Sequence, residues 1–203
     1  MTEERLERQI RFILEIDRLK SVLRRSYLVA GDRLENSAEH SWHVAVMAVL
    51  LAEHANCPVD ASRVVKMLLV HDVVEVDAGD TYVYDRSGVA GKAEREARAA
   101  GRLFGILPED QARELRGVWE EFEAGRTAEA RFAAALDRLM PVLHNCFTAG
   151  RSWREHGITA DQVIARNSAI TDGSEKLWQY ARALIADAVA KGNLAPASQR
   201  PSV

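Results

Sequence analysis

The sequence contains few cysteines, no long apolar run and no surplus of basic residues. Two cysteines, Cys57 and Cys146, are too few for a disulfide framework in a chain of 203 residues, which favours a reducing compartment. No apolar run is long enough to span a membrane, and the charged residues 1–5 lack the apolar core of a signal peptide. These absences predict a cytoplasmic protein that has no membrane partner.

The charge balance and the length narrow the class of protein further. The chain carries 27 Lys and Arg against 30 Asp and Glu, whereas a domain that coats nucleic acid usually has a basic surplus. We therefore expect no nucleic acid polymer as a partner. Hydrophobic residues make up 47% of the chain, which is too high a fraction for a disordered protein. The length suits one core, and we predict one domain over residues 1–194 with a loose tail over 195–203.

Helix signals recur along the chain, whereas strand signals are nearly absent because no two alternating runs flank a tight turn. A first amphipathic helix is predicted over residues 3–25. Its apolar positions are Ile10, Ile13, Leu14, Leu19 and Leu23. Asn36 and Glu39 form a capping-box pattern at the start of a second helix over residues 38–55, which is apolar almost all round and is expected at the centre.

The rest of the chain continues the helical pattern. Asp60 is predicted to cap a third apolar helix that ends near residue 76. Later helices are predicted at residues 92–105, 108–124, 127–149, 159–167 and 171–191. The predicted fold class is therefore all-α, a single-domain helical bundle with two buried central helices.

Several catalytic templates are absent. The sequence has no G-x-G-x-x-G loop, no complete phosphate-binding P-loop, no His-Glu-x-x-His zinc motif and no Glu-x-x-His pair of a di-iron bundle. Neither cysteine lies two or three residues from another, which excludes thiolate zinc sites. The candidates that remain are histidines and carboxylates on apolar helices.

Four residues at predicted buried positions are candidate metal ligands. His40 lies in the first turn of the second helix, and His71 and Asp72 lie near the end of the third. Adjacent helix residues turn by about 100°, so His71 and Asp72 can approach one ion from the same edge. Asp137 interrupts an apolar stripe, where an uncompensated carboxylate would be very costly. Each alone has a simpler explanation, such as a hydrogen-bonded core histidine or an Asp–Arg pair, but a shared divalent cation satisfies all four.

The order His40, His71-Asp72 and Asp137 resembles the H…HD…D signature of the HD-domain metal-dependent phosphohydrolases. The surrounding residues are similar to the branch that contains bacterial 5′-deoxynucleotidases and their eukaryotic relatives. The segments that carry this resemblance are Arg33-x-Glu35-Asn36-x-x-Glu39-His40-Ser41 and His71-Asp72-x-x-Glu75-x-x-x-Gly79-Asp80. The resemblance covers about residues 18–149.

The resemblance implies an all-helical HD bundle, a homodimer and a small-molecule nucleotide substrate from which phosphate is released. It implies one divalent metal ion, with Mn²⁺, Co²⁺, Mg²⁺, Fe²⁺ and Zn²⁺ not distinguished. The implied ligands of that ion are His40, His71, Asp72 and Asp137. Glu75 and Asp80 fall on the positions that orient water or transfer protons, and Arg24 falls near the arginine that holds the substrate phosphate.

Two basic residues, Arg25 and Arg33, leave the identity of the substrate undetermined. Arg25 stands where the bacterial deoxynucleotidases have a tryptophan that excludes a ribose 2′-hydroxyl, so Arg25 is a candidate for binding a second phosphate or a different leaving group. Arg33 joins Arg24 and Arg25 in a basic group before the second helix. For that group, phosphate capture and a solvated helix end are both open interpretations.

Two alternatives to a nucleotidase remain open. One is a phosphatase or phosphodiesterase for another phosphorylated metabolite, and the other is a non-catalytic regulatory domain that holds a structural metal. Glu75 and Asp80 favour catalysis, because a structural site needs neither. His43 is a further candidate for a place around the metal, for binding phosphate or for a core hydrogen bond, and His144 is a candidate for a place near the site.

Overall fold

A computed structural model describes residues 3–85 and 90–197, and helices account for most of this structure, which confirms the all-α prediction. The helices are α1 Glu3–Ile16, α2 Ser37–Leu51, α3 Ala61–Val70, α4 Glu75–Ala78, α5 Lys92–Phe104, α6 Glu109–Ala124, α7 Ala128–Phe147, α8 Arg151–Glu155, α9 Ala160–Asn167, α10 Ile170–Gly173 and α11 Glu175–Ala190. Short 3-10 turns lie at Asp17–Ser21, Ala52–His54 and His71–Val74. Among the described residues, no helix is both long and apolar enough to cross a membrane.

The core lies where α2, α3 and α7 pack together, with α10 and α11 against the outer side of α7. Its fully buried side chains include Val44, Met67, Leu68, Phe132 and Leu136. At one end of this contact, α2 and α7 carry the polar residues His40 and Asp137, and His71 directly follows α3.

The prediction of a long first helix over residues 3–25 is wrong. Helix α1 ends at Ile16, and after a 3-10 turn the chain forms a strand, β1 Leu23–Tyr27. This strand pairs in antiparallel fashion with a second one, β2 Leu34–Asn36. The short ribbon between them was not anticipated, because neither strand shows an alternating apolar pattern.

The faces predicted to be buried are also partly wrong. On α1, Ile13 and Leu14 are exposed, and Phe12 is the residue that reaches the core. Helix α2 was expected to be buried all round, but it carries an exposed apolar stripe on one side. The stripe consists of Trp42, Val46, Val49 and Leu50. Apolar residues alone therefore did not identify which helix face has a packing partner.

The predicted third helix is broken near its end. Helix α3 stops at Val70, a 3-10 turn covers His71–Val74, and the short helix α4 follows. The tighter turn changes the directions of the side chains that follow it. It therefore sets how His71 and Asp72 meet the other candidate ligands.

The C-terminal region returns to the body of the domain. Ala195 forms an isolated parallel bridge with Thr159, and its carbonyl accepts the Ala160 N–H at 2.9 Å. The predicted tail over residues 195–203 is thus anchored at its first residue, and residues 198–203 lie outside the described part of the chain. The division into a domain over 1–194 and a tail stays a prediction.

Candidate metal centre and active site

The start of α2 positions His40. The Asn36 side chain accepts the Glu39 N–H at 2.9 Å, and the Glu39 carboxylate accepts the Asn36 N–H at 3.2 Å, so the predicted capping box is confirmed. This cap fixes the first turn of the helix and directs the fully buried His40 toward α7.

The 3-10 turn after α3 positions His71. Its Nδ1 lies 2.9 Å from the Leu68 carbonyl oxygen, and because a carbonyl only accepts, Nδ1 carries the hydrogen of this bond. In neutral His71 the lone pair is therefore on Nε2. That nitrogen is buried and has no hydrogen-bond partner among the described residues.

Asp137 of α7 brings the two histidines together. Its Oδ1 lies 3.0 Å from His40 Nε2 and 3.8 Å from His71 Nε2, and Asp72 Oδ1 lies 3.1 Å from the same His71 nitrogen. Ligand atoms of His40, His71 and Asp72 all lie within 4.8 Å of one another. A lone pair on His71 Nε2 facing two carboxylate oxygens is repulsive unless a cation lies between them. These four residues therefore fit a divalent cation, which uses imidazole nitrogen and carboxylate oxygen as ligands.

The pKa values of this group show how it responds to protons when no metal is bound. Burial alone lowers the pKa of His71, but the carboxylates of Asp72 and Asp137 outweigh burial and raise that pKa to about 9. The pKa of Asp137 is held well below its usual range, because its hydrogen bond to His40 and the nearby His71 ring outweigh the effect of burial. A proton on His71 thus takes the place that a metal ion would fill.

Arg24 extends from β1 into the same group of acids. Its Nη1 donates to Asp72 Oδ2 at 2.8 Å and lies 3.8 Å from Asp80 Oδ1, and its Nη2 lies 3.9 Å from Asp137 Oδ1. Its Nε lies 3.8 Å from Glu35 Oε2. Burial disfavours the charged guanidinium, but the surrounding carboxylates outweigh burial and raise its pKa. Arg24 is thus shared among four acids.

Two further carboxyl groups lie beside the cluster. Glu75 is buried, its Oε2 accepts the Ser37 hydroxyl at 2.6 Å, and burial together with the nearby Asp72 charge raises its pKa to about 8. Burial also raises the pKa of Asp80, against the opposing effect of Arg24. Carboxyl groups with raised pKa values are suited to general acid and base catalysis.

A cavity of about 290 Å³ opens next to this cluster. Asp80 and Asp137 line it, whereas Glu75 lies deeper in the protein. The lining also includes a third acid, five basic residues and four aromatic residues, namely Glu123, Arg24, Arg25, Lys92, Arg138, Arg166, Tyr82, Tyr84, Phe122 and Trp153. The volume is close to the lower end of the range for small-molecule sites.

Three of the arginines at this cavity carry no ion pair. Among the described residues, no carboxylate lies within ion-pair distance of Arg25, Arg138 or Arg166, and Arg138 Nε is buried without a hydrogen-bond partner. Burial and the neighbouring Arg138 charge lower the pKa of Arg166. Unpaired guanidinium groups that repel one another favour an anionic ligand between them.

The predicted basic residues separate in the structure. Arg24 and Arg25 line the cavity, but Arg33 does not. Arg33 instead forms an exposed ion pair with Glu39 at 2.6 Å, so it stays with the helix cap rather than the cavity.

From the sequence, Arg138 was expected only as an alternative ion-pair partner of Asp137, and no role was expected for Arg166 or Glu35. Arg138 and Arg166 come from distant positions on α7 and α9, and only the fold brings them to one cavity. Glu35 lies in the segment of residues 33–41, which carries the family resemblance, and its buried carboxylate lies 3.4 Å from His40 Nδ1. A glutamate one residue before a helix cap was the available signal, and it is a weak one.

The comparisons with known proteins agree with this geometry. The HD domain profile matches residues 16–178, which is well over half of the chain. A human relative, 5′-deoxynucleotidase HDDC2 of Homo sapiens, is 32% identical over 135 residues, which cover 66% of this chain and 65% of that protein. The Bos taurus protein of the same name is 34% identical over 136 residues, covering 66% of this chain and 64% of its own length. The chain thus spans slightly less than two thirds of the length of these curated relatives.

Solved structures extend the comparison to nearly the whole chain. A crystal structure described as a predicted metal-dependent phosphohydrolase from Magnetospirillum magnetotacticum MS-1 is 54% identical, covers 96% of this chain and 97% of its own, and has a TM-score of 0.91. A conserved hypothetical protein from Pyrococcus furiosus, 22% identical with a TM-score of 0.60, shares the fold. On the strength of the profile match and the 54% identical structure, the chain belongs to the HD domain family.

Proposed function

We propose that the protein is a metal-dependent phosphohydrolase that releases phosphate from a nucleoside 5′-monophosphate. The observation that carries the proposal is the convergence of His40, His71, Asp72 and Asp137 beside a cavity. The buried His71 Nε2 in this group has no hydrogen-bond partner in the described part of the chain. The names of the human and bovine relatives support a nucleotide as the substrate.

These four residues would hold one divalent ion. When bound, such an ion lowers the pKa of a coordinated water and neutralises charge on phosphoryl oxygens. The two imidazoles and two carboxylates suit Mn²⁺, Co²⁺, Fe²⁺ and Zn²⁺, and Mg²⁺ is compatible with the carboxylates. Arg24 Nη1 lies 2.8 Å from Asp72 Oδ2 and keeps that carboxylate oriented. Arg24 also lines the cavity, where it would bind the substrate phosphate.

Glu75 and Asp80 divide the proton transfers. Glu75, with its pKa near 8 and its bond to Ser37, would accept a proton from the attacking water whose oxygen forms the new bond to phosphorus. Asp80 lines the cavity, and its raised pKa suits it to give a proton to the 5′-oxygen as the P–O bond breaks. The products are the nucleoside and inorganic phosphate, and water supplies the atoms that are added.

The test is a panel of 2′-deoxy- and ribonucleoside 5′-monophosphates, each assayed for phosphate release with Mn²⁺, Co²⁺, Mg²⁺, Fe²⁺ and Zn²⁺. We expect release from at least one deoxynucleotide, abolished by a chelator and restored by one of the ions. An Asp80→Asn variant should lose most turnover and keep its metal content, with Asp85→Asn from the same loop as the matched control. No release from any nucleotide under any ion would refute the proposal.

The unpaired arginines favour a second candidate, the hydrolysis of another phosphorylated metabolite that carries an additional anionic group. Arg24 already lies beside the candidate metal ligands, where it can bind one phosphate. Arg25, Arg138 and Arg166 add positive charge beyond what that phosphate needs. Adding a nucleoside 3′,5′-bisphosphate and a phosphorylated carboxylic acid to the panel separates the two candidates. A kcat/KM at least tenfold above that of every monophosphate would favour the second.

The proposal also includes a homodimer that acts in the cytoplasm. Support for the dimer comes from the exposed apolar stripe on α2, which leaves a large apolar surface on one side of that helix. Its residues are Trp42, Val46, Val49 and Leu50. Light scattering after size exclusion should give twice the chain mass for the wild type and a monomer for Leu50→Asp. A monomeric wild type would refute the dimer without touching the proposed chemistry.

A further inference from the structure

A second group of ligand-type side chains lies directly beside the cluster already described and shares no residue with it. Glu35, His43 and His144 each offer one nitrogen or oxygen atom, and these atoms all lie within 4.8 Å of one another. None of the three lines the cavity assigned to the substrate. The group thus forms a separate set of two imidazoles and one carboxylate.

The two groups of ligands are built from the same helices. Helix α2 carries His40 in the first group and His43 in the second, three residues later and on the same side. Helix α7 carries Asp137 in the first group and His144 in the second, two turns further along. Glu35 comes from β2, directly before α2. The second group therefore continues the contact between α2 and α7.

Two atoms of this second group are buried without a hydrogen bond. Glu35 is 1% exposed and His144 is 2% exposed, and neither Glu35 Oε2 nor His144 Nδ1 has a hydrogen-bond partner among the described residues. The two atoms face each other at 3.7 Å, which is too long for a hydrogen bond. Leaving such atoms unpaired is costly, and a cation between them would satisfy both.

The charge on Glu35 is only partly compensated by protein groups. Arg24 Nε lies 3.8 Å from Glu35 Oε2, but the same guanidinium also faces Asp72, Asp80 and Asp137. One positive charge shared among four carboxylates leaves Glu35 able to accept a further cation.

We propose that Glu35, His43 and His144 bind a second divalent cation of the Zn²⁺ type. Two histidines and a glutamate are an established zinc ligand set, and imidazole favours zinc and its transition-metal neighbours over Mg²⁺ and Ca²⁺. His43 lies beside the exposed Trp42, with ring centroids 5.7 Å apart, so the ion can enter from the surface of α2.

The bound cation would link β2, α2 and α7 at the base of the first cluster. It would also hold the Glu35 carboxylate in place 3.4 Å from His40 Nδ1. A carboxylate in that position favours a hydrogen on Nδ1 and directs the lone pair of Nε2 toward the first cluster. The second ion therefore supports the first site without contacting the substrate.

Metal content measures this directly. The full chain is stripped with a chelator, dialysed against Zn²⁺ and then against buffer, and assayed by plasma mass spectrometry. We expect two zinc ions per wild-type chain, one in His43→Gln and in His144→Gln, and two in the control His54→Gln, whose side chain belongs to neither group. His71→Asn should lose the first ion and keep the second.

Two results would overturn the proposal. One is a single zinc ion in the wild type that His43→Gln keeps and His71→Asn loses, in which case Glu35 only accepts hydrogen bonds from histidines. The other is two ions in both His43→Gln and His144→Gln. Circular dichroism checks folding, and because His43 lies at the α2 surface, His43→Gln decides the outcome if the buried His144→Gln does not fold. Since the readout is stoichiometry, failure of the proposed hydrolysis leaves this result interpretable.

Discussion

The two groups of histidines and carboxylates share α2 and α7 but differ in charge and access. In the first group, His40 and His71 meet Asp72 and Asp137 beside the cavity, with Glu75 and Asp80 close by. The second group has one carboxylate, contributes no residue to the cavity and lies nearer the α2 surface.

The difference in charge and access suits the two groups to different roles. A metal ion with several acids and an open cavity can position water and accept a phosphate oxygen, whereas an ion with few ligands and no cavity can only fix its surroundings. Both groups offer imidazole and carboxylate ligands, so access to the cavity is the property that would suit the first group to catalysis and the second to a structural role.

Removing the bridging carboxylate should have the largest effect. In Asp137→Asn, His40 and His71 lose the oxygen that lies 3.0 and 3.8 Å from them, so we expect turnover to fall by about 10³-fold or more as the first ion is lost. Phosphate release and zinc content report the change. The exposed Asp187→Asn on α11 is the control, and normal turnover in Asp137→Asn would mean that the first group is not the catalytic one.

Replacing Glu75 should separate chemistry from metal binding. Glu75→Gln keeps the shape but cannot accept a proton, so we expect a loss in turnover of about 10²–10⁴-fold with an unchanged metal content. A parallel loss of metal would instead identify Glu75 as a ligand.

The same variant should alter the stability of the metal-free protein. The pKa of Glu75 is raised to about 8 when folded, so its contribution to stability is complete below its usual pKa and is lost as the pH rises through 8. Glu75→Gln should therefore melt a few degrees above the wild type at pH 9, but not at pH 4. Identical melting temperatures at pH 9 would contradict the burial of an ionised Glu75.

Metal affinity should depend on pH differently in the two groups. In the first, His71 has a pKa of about 9 without metal and must lose a proton, so the apparent Kd should fall by about tenfold per unit between pH 7 and 9. In the second, burial lowers the pKa of His144, so its affinity should change little over that range. Titration calorimetry on His43→Gln measures metal binding by the first group, and on His71→Asn by the second. Equal changes of apparent Kd with pH in the two variants would contradict the comparison.

The smallest effects should come from the two arginines that differ in access. Arg25 lines the cavity, so Arg25→Gln should raise KM by about fivefold, which corresponds to one charge-assisted contact of about 1 kcal/mol. Arg33 pairs with Glu39 in solvent, and because such pairs contribute about 0–1 kcal/mol, Arg33→Gln should leave KM unchanged. Equal KM values for the two variants would remove Arg25 from substrate binding.

Local patterns predicted the parts of the site that depend on neighbours in sequence. The capping box of Asn36 and Glu39 satisfies the helix end through residues three apart, so it was readable without the fold. The placement of His40, His71, Asp72 and Asp137 at predicted buried helix positions suggested a shared ion, and the structure brings these residues together.

Features that depend on distant partners were mispredicted or missed. The segment after Ile16 resembled more helix, but pairing with β2 made it a strand and sent Arg24 into the acids. The apolar residues Ile13 and Leu14 are exposed because, within residues 3–85 and 90–197, no helix covers that face of α1.

The sequence by itself determined the helical class, the start of α2 and the identity of the candidate ligands, because hydrophobic periodicity, capping and ligand chemistry act over a few residues. Only the tertiary structure decided that Arg24 is shared among four carboxylates, that Arg138 and Arg166 reach one cavity, and that Glu35 lies between His40 and His144. Such contacts join residues far apart in the chain, and their energy depends on distance and burial, which exist only once the helices have packed.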